Sequence, residues 1–187
     1  MKKQLFFLLL LLASLAANAQ LNENLKTQLV KDWERAKAYT KEYLDAMPKD
    51  QYGFKAQDSI RSFAQQMIHL AQGNAALIAS ATGKDRPGWG LRPLERTPSA
   101  LSADSVNYFT LASYDFAIEA IKGFDASKLE EKIKRGNSEE TRYAYLLKAF
   151  EHQTHHRGQT TIYIRLRGIK PPNERLFSNY LFGSVSI

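Results

Sequence analysis

The sequence predicts an all-α protein, a four-helix bundle with long crossover connections. Three observations carry this expectation. Apolar residues recur three and four positions apart in four long stretches. No stretch shows a convincing strand alternation. The connections after the second and third helices are too long for a plain up-down-up-down order.

The first twenty residues, MKKQLFFLLLLLASLAANAQ, stand apart. Lys2 and Lys3 form a short positive segment, and Leu5 to Ala13 is unbroken apolar chain. Ala17-Asn18-Ala19 then places small residues at the positions a signal peptidase reads. The expectation is a signal peptide over 1–19, cleaved after Ala19, and one domain over 20–187. A membrane span needs roughly 20 apolar residues, and Leu5 to Ala17 supplies 13. No second run of this kind follows, so no membrane span is expected after cleavage. The expected location is periplasmic or secreted. With no cysteine in the chain, neither a lipidated N-terminal Cys nor a disulfide is available, and the domain relies on packing. Without Lys2 and Lys3 the formal charge falls from +7 to +5. Scattered cations and export together argue against a nucleic-acid partner. The oligomeric state is left open, a homodimer included.

The first helix is expected over Leu21 to Met47. Leu25, Leu29, Val30, Trp33, Ala36, Tyr43, Leu44 and Met47 form its apolar stripe, and Pro48 stops it. The second runs from Ser62 to Ala81. Ser62 with Gln65 fits a capping box, and Gly83 suits the left-handed position after the last turn. Lys84 to Leu101 is a Pro- and Gly-rich connection that crosses the domain or covers a site. The third helix spans Ser102 to Lys122, ending at Gly123. Asp125 to Gly136 is charged and exposed, with at most a short turn over Ala126 to Ile133. The fourth helix begins between Asn137 and Thr141, with Glu139 and Glu140 in its first turn, and continues to Arg167. The tail carries Leu176, Phe177, Tyr180, Leu181 and Phe182 and is expected to pack on the bundle.

The chain has four histidines, His69, His152, His155 and His156. His152 and His156 are four apart, so their imidazoles share a helix face with Tyr145, Ala149, Thr160 and Tyr163. Two imidazoles one turn apart can chelate a borderline divalent ion. His155 turns about 100° away, toward Lys148, Glu151 and Ile162, and is read as a rim residue. No Glu follows His152, so the H-E-x-x-H metalloprotease motif is absent. His69 lies off the main stripe, beside Gln65, Gln72, Gly73, Ala76 and Ser80. The two glutamines favour an exposed ring; the small residues allow a close neighbouring helix and a ring aimed into a cleft. The pattern alone leaves both open. Gly158 inside a helix costs roughly 1 kcal/mol relative to Ala and is taken to mark a close crossing. Arg157 falls on the apolar side and is read as a packed, paired arginine.

Glu151-His152-Gln153-Thr154-His155-His156-Arg157-Gly158-Gln159 resembles the H-x-x-x-H-R-G-Q helix of the DinB family of four-helix proteins. Ser62 to His69 resembles that family's second-helix segment ending in a ligand histidine. Leu166 to Pro172 resembles the Gly-then-Pro close of its last helix, and Trp33 with the Ala46-Met47-Pro48 stop fits its first. The likeness covers nearly all of residues 25–175.

The resemblance implies three ligands, His69, His152 and His156, holding a divalent metal ion, zinc or nickel. Gln66, Tyr145, Gln159 and Tyr163 are the polar groups expected near them. It also implies open coordination positions for water or a small-molecule substrate. Some relatives are transferases or isomerases using low-molecular-weight thiols. This chain departs from them in its expected export, because such thiols are cytoplasmic. Two functions follow: a metal-dependent enzyme, a thiol-linked transferase or a hydrolase, or a non-catalytic metal-binding or stress-associated envelope protein. A general base beside the ion would favour the first, and the sequence names none.

Overall fold

The computed structural model describes residues 2–176. Four helices dominate: α1 Lys2–Ala46, α2 Phe63–Thr82, α3 Ala103–Lys122 and α4 Arg142–Leu166. α2 packs along both α3 and α4, while α1 packs mainly on α3 and more lightly on α4. The two diagonal pairs are therefore α1 with α2 and α3 with α4. The connections after α1 and α3 are thus the crossovers: the first was not counted in the sequence reading, and the long connection after α2, expected to be one, joins neighbouring helices.

α1 starts far earlier than Leu21 because its apolar N-terminal segment is itself helical. Leu5 to Leu12 are all more than half exposed. Although the continuous apolar run is short, α1 as a whole is long and apolar enough to cross a membrane by length and composition, a criterion an N-terminal signal sequence also meets, and its apolar window is unburied. The bundle begins about where burial begins, at Leu29, followed by Trp33 and Ala36, both wholly buried. The Trp33 ring packs against Tyr114 of α3 and Phe150 of α4, with ring centres 5.6 and 5.7 Å away. The indole thus fills the centre of the bundle and joins α1 to both α3 and α4 through aromatic contacts.

α2 is capped as its sequence foretells. Ser62 accepts from the Gln65 N–H, the Gln65 side chain returns the bond to Ser62 N, and Gly83 closes the helix at φ 76°. Three short 3-10 turns shape the following connection, at Gly88–Leu91, Leu94–Arg96 and Pro98–Leu101. Leu94 and Ala100 are buried and pin it to the bundle, and the Trp89 ring lies 5.7 Å from Phe109.

The segment before α4 differs from expectation. Glu139 and Glu140 lie in β2 (Ser138–Thr141), paired antiparallel with β1 (Lys132–Arg135), and not in the helix. The two-residue loop Gly136-Asn137, with Gly136 at φ 61°, closes the hairpin. Lys134 faces Glu139 across it, an opposite-charge pair that favours this pairing. Thr141 then caps α4 by accepting from the Ala144 N–H. In the tail, Leu176 is half exposed, and Phe177, Tyr180, Leu181 and Phe182 lie outside the described residues.

A polar seam runs through the core and fixes α4. The Tyr114 hydroxyl touches Thr40 Oγ1 at 2.7 Å and donates to Gln153 Oε1 at 2.8 Å. Arg157 Nη1 donates to the same oxygen at 3.0 Å, and the Arg157 guanidinium sits 4.5 Å from the centre of the Tyr39 ring. Arg157 is therefore the packed, buried arginine the sequence indicates. Its partners are an amide and an aromatic face. Gln153 and Arg157 each follow one of the α4 histidines, so this seam sets the rotation of α4 that points His152 and His156 toward α2.

Candidate metal centre

His69 comes from the middle of α2, His152 and His156 from α4. Ring centres lie 5.3 Å apart for His69 and His152, 4.5 Å for His69 and His156, and 4.4 Å for His152 and His156. One nitrogen from each ring can be chosen so that all three lie within 4.8 Å of one another. No fourth His, Cys, Asp or Glu joins the cluster among the described residues. His155 is exposed, and its Nε2 meets the Gln159 amide at 2.9 Å.

Three local features hold the rings. The first is steric. A Cβ on Gly73 would come within 2.0 Å of His152 Cε1 and 2.6 Å of its Nδ1. The imidazole therefore occupies the space that any other residue at 73 would fill. The small-residue face of α2 does admit a neighbour closely, and the neighbour is a ligand candidate. Gly158 has no such role: it is exposed, and a Cβ there would meet no atom within 4 Å. The close crossing expected at Gly158 is absent because that side of α4 faces solvent.

The second feature is Gln66, whose amide lies 3.0 Å from His156 Nδ1. If Nε2 faces an ion, Nδ1 carries the proton and the amide presents its oxygen, which a half-turn of the terminal group achieves. The third is Glu95, from the connection between α2 and α3. Its Oε1 lies 2.6 Å from His69 Nδ1 and its Oε2 accepts from Arg61 Nε at 2.8 Å. Burial pushes the Glu95 carboxyl up, but the hydrogen bonds from Arg61 and His69 outweigh it and hold it below its ordinary value.

The donor set fits a divalent ion. His152 Nδ1 is buried without a hydrogen-bond partner, which costs about 1–3 kcal/mol; coordination through that nitrogen would satisfy it. Ligation also requires neutral imidazole. Burial, reinforced by the neighbouring His69, lowers the His152 pKa to about 4. Burial and then the adjacent His152 lower that of His156 to about 3. In the metal-free protein both rings are expected to stay neutral at pH 5, as read by an NMR titration of the ring nitrogens. A base depressed below its unfolded value near 6.5 is protonated first in the unfolded chain. Its contribution to stability is complete above that pH and is lost as pH falls through about 4 for His152 and about 3 for His156. Titration of both rings near 6.5 would contradict the burial reading.

The sequence model of the DinB family matches residues 19–179. The chain belongs to the DinB family. Solved DinB-like structures share its fold. One from Bacillus cereus superposes with a TM-score of 0.67 at 19% identity, covering 79% of this chain and 95% of its own. Another, from Bacillus subtilis, gives a TM-score of 0.58 at 19% identity, covering 78% of this chain and 96% of its own. A search of curated proteins found no match.

In this DinB chain the remaining polar groups sit farther out. Tyr163 donates to the Arg61 carbonyl at 2.7 Å, and Gln159 serves His155. Tyr145 is buried and makes no described hydrogen bond to the three rings. A cavity of about 740 Å3 is walled by Arg61, Gln66, Glu95, Gln159, Ile162 and Tyr163 among others. It reaches the cluster only through Gln66 and Glu95, which contact His156 and His69, and none of the three histidines lines it. Sequence reasoning missed Glu95 and Arg61, and it read Gly73 only as one of the small residues that allow a close helix, without naming the His152 ring. Glu95 is distant in sequence from every histidine, and no periodicity in an irregular connection marks it. Gly73 carried a usable signal, a helix-interior glycine one turn after His69.

Proposed function

We propose that this DinB-family protein is exported, binds one divalent metal ion, zinc or nickel, through His69, His152 and His156, and acts on a small molecule as a metal-dependent transferase or hydrolase. The observation that carries this reading is the convergence of three imidazoles within 4.8 Å with no fourth protein ligand among the described residues. Structural zinc sites commonly close all four positions with protein groups, whereas catalytic sites keep one open. The bound ion would act as a Lewis acid, activating water or a thiol or polarising a carbonyl. The protein's own groups supply placement. Gly73 leaves room for His152, Gln66 and Glu95 hold His156 and His69, and the cavity walled by Gln66 and Glu95 offers space for a small molecule.

The alternative is a non-catalytic envelope protein in which the ion ties α2 to α4. One observation favours it: both oxygens of Glu95, the carboxylate beside the cluster, are engaged by His69 and Arg61, so it is not free as a general base. Cobalt substitution separates the two. An open site changes its visible spectrum when a small thiol or hydroxamate is added, and the change disappears in His152→Ala. A saturated site gives no response to either. Catalysis then requires thiol transfer to an electrophile, or hydrolysis, at a rate lost with the metal. Export is supported by the exposed apolar N-terminal helix and Ala17-Asn18-Ala19. Intact-mass measurement on protein from the native host should find a chain beginning at Gln20; a full-length cytoplasmic chain would refute it.

A further inference from the structure

We infer that Glu95 and Arg61 are positioning residues for the metal site, acting through His69. This rests on the ligand assignment proposed above and adds to it the groups that orient the one ligand α4 does not carry.

His152 and His156 share a helix, so their spacing is set by α4 itself. His69 must be aimed from α2, and its side chain is 29% exposed, so packing alone leaves its ring room to turn. Glu95 removes that freedom. A carboxylate accepts but does not donate when ionised, so its 2.6 Å contact places the proton of His69 on Nδ1 and leaves the Nε2 lone pair free for an ion. It also brings a negative charge next to a site whose three ligands are neutral, which raises ligand basicity.

Glu95 is in turn fixed at three points. Leu94 beside it is buried, the Glu95 backbone carbonyl accepts from Gln65 Nε2 at 3.3 Å, and Arg61 Nε donates to the second carboxylate oxygen of Glu95. Arg61 directly precedes the Ser62 cap, and its carbonyl accepts from Tyr163 of α4. The relay thus runs from α4 through Arg61 and Glu95 to the ligand on α2. It also ties the connection after α2 to the metal site.

The test compares wild type, Glu95→Gln, Glu95→Ala and Arg61→Ala for Zn²⁺ affinity by chelator competition, for the Co²⁺ spectrum, and for thermal stability without metal. Loss of an outer partner of a ligating histidine typically weakens metal binding about 10–100-fold. That range is expected for Glu95→Ala, with an altered Co²⁺ spectrum. Glu95→Gln keeps an accepting oxygen and should fall between, and Arg61→Ala should shift affinity in the same direction by less. Wild-type affinity and spectrum in Glu95→Ala would overturn the inference while leaving the ligand assignment standing. So would a lower melting temperature of the metal-free protein with unchanged metal binding, since that marks a purely structural role. Failure of the wild type to bind metal would overturn the ligand assignment, and this inference with it.

Discussion

His152→Ala and His156→Ala should each lose the bound metal under conditions where His155→Ala keeps it. The three histidines lie within five residues of one helix, so composition cannot separate them. Geometry does. The His152 and His156 rings are 4.4 Å apart and both approach His69. His155 is exposed, turned toward Gln159, and is not part of the three-nitrogen cluster. Removing a ligand should cost more than the roughly 10–100-fold lost with an outer partner. Elemental analysis and chelator competition on the purified variants read this directly. An empty site in His155→Ala with a full one in His156→Ala would show that the ion is held elsewhere. Neither loss should unfold the domain. Its core, with Trp33, Phe63, Tyr114, Leu146 and Ile164 at 0% exposure, does not depend on an ion as a small zinc finger does. Circular dichroism of the metal-free variants should therefore retain the wild-type helical signal.

Gly73→Ala should separate metal binding from folding even more sharply. At an exposed helix-interior site this change stabilises by about 1 kcal/mol. Here the new methyl would fall 2.0 Å from His152 Cε1 and 2.8 Å from Nε2, far inside contact distance. The backbone of α2 is packed on two helices and gives little, so the imidazole must swing away. The expected outcome is a folded, helical protein whose metal affinity falls on the order of 100-fold, at least the loss of an outer partner. Gly158→Ala is the matched control. Its Cβ meets nothing within 4 Å, so it should gain helix stability and leave affinity unchanged. Wild-type affinity in Gly73→Ala would mean that His152 does not need this position to ligate.

The contrast between these two glycines shows where local sequence information ends. Both sit inside helices, and both carry the same intrinsic cost. Reading them from the chain takes Gly158, next to the histidine pair, to mark a close crossing, and leaves Gly73 open as one of the small residues that allow one. The structure assigns it to Gly73, because a close approach belongs to two helices at once and only their relative rotation decides which glycine faces the neighbour.

Much else was legible because it is local. The capping box at Ser62 and Gln65, the glycine stop at Gly83 and the break at Pro48 depend on hydrogen bonds and dihedrals within a few residues. The i, i+4 pair His152 and His156 needs nothing beyond helical geometry. The hairpin over 132–141 was also within reach, since the two-residue Gly136-Asn137 loop between a basic and an acidic run carries its own signal.

By itself, then, the sequence determined the helical stretches of the domain and their caps, the apolar N-terminal segment and the paired imidazoles on α4. The side on which His69 faces stayed open in the pattern, and its family resemblance pointed to the cluster. Only the tertiary structure decided the ring order of the helices, the partnership of His152 with Gly73, and the arrival of Glu95 at His69. The reason is physical. Periodicity and capping act over one or two turns, whereas the site is assembled across two helices and an irregular connection. What joins those pieces is the rotation of α4 set by the Tyr114, Gln153 and Arg157 seam, together with the anchoring of Leu94. Neither leaves a periodic trace in the chain.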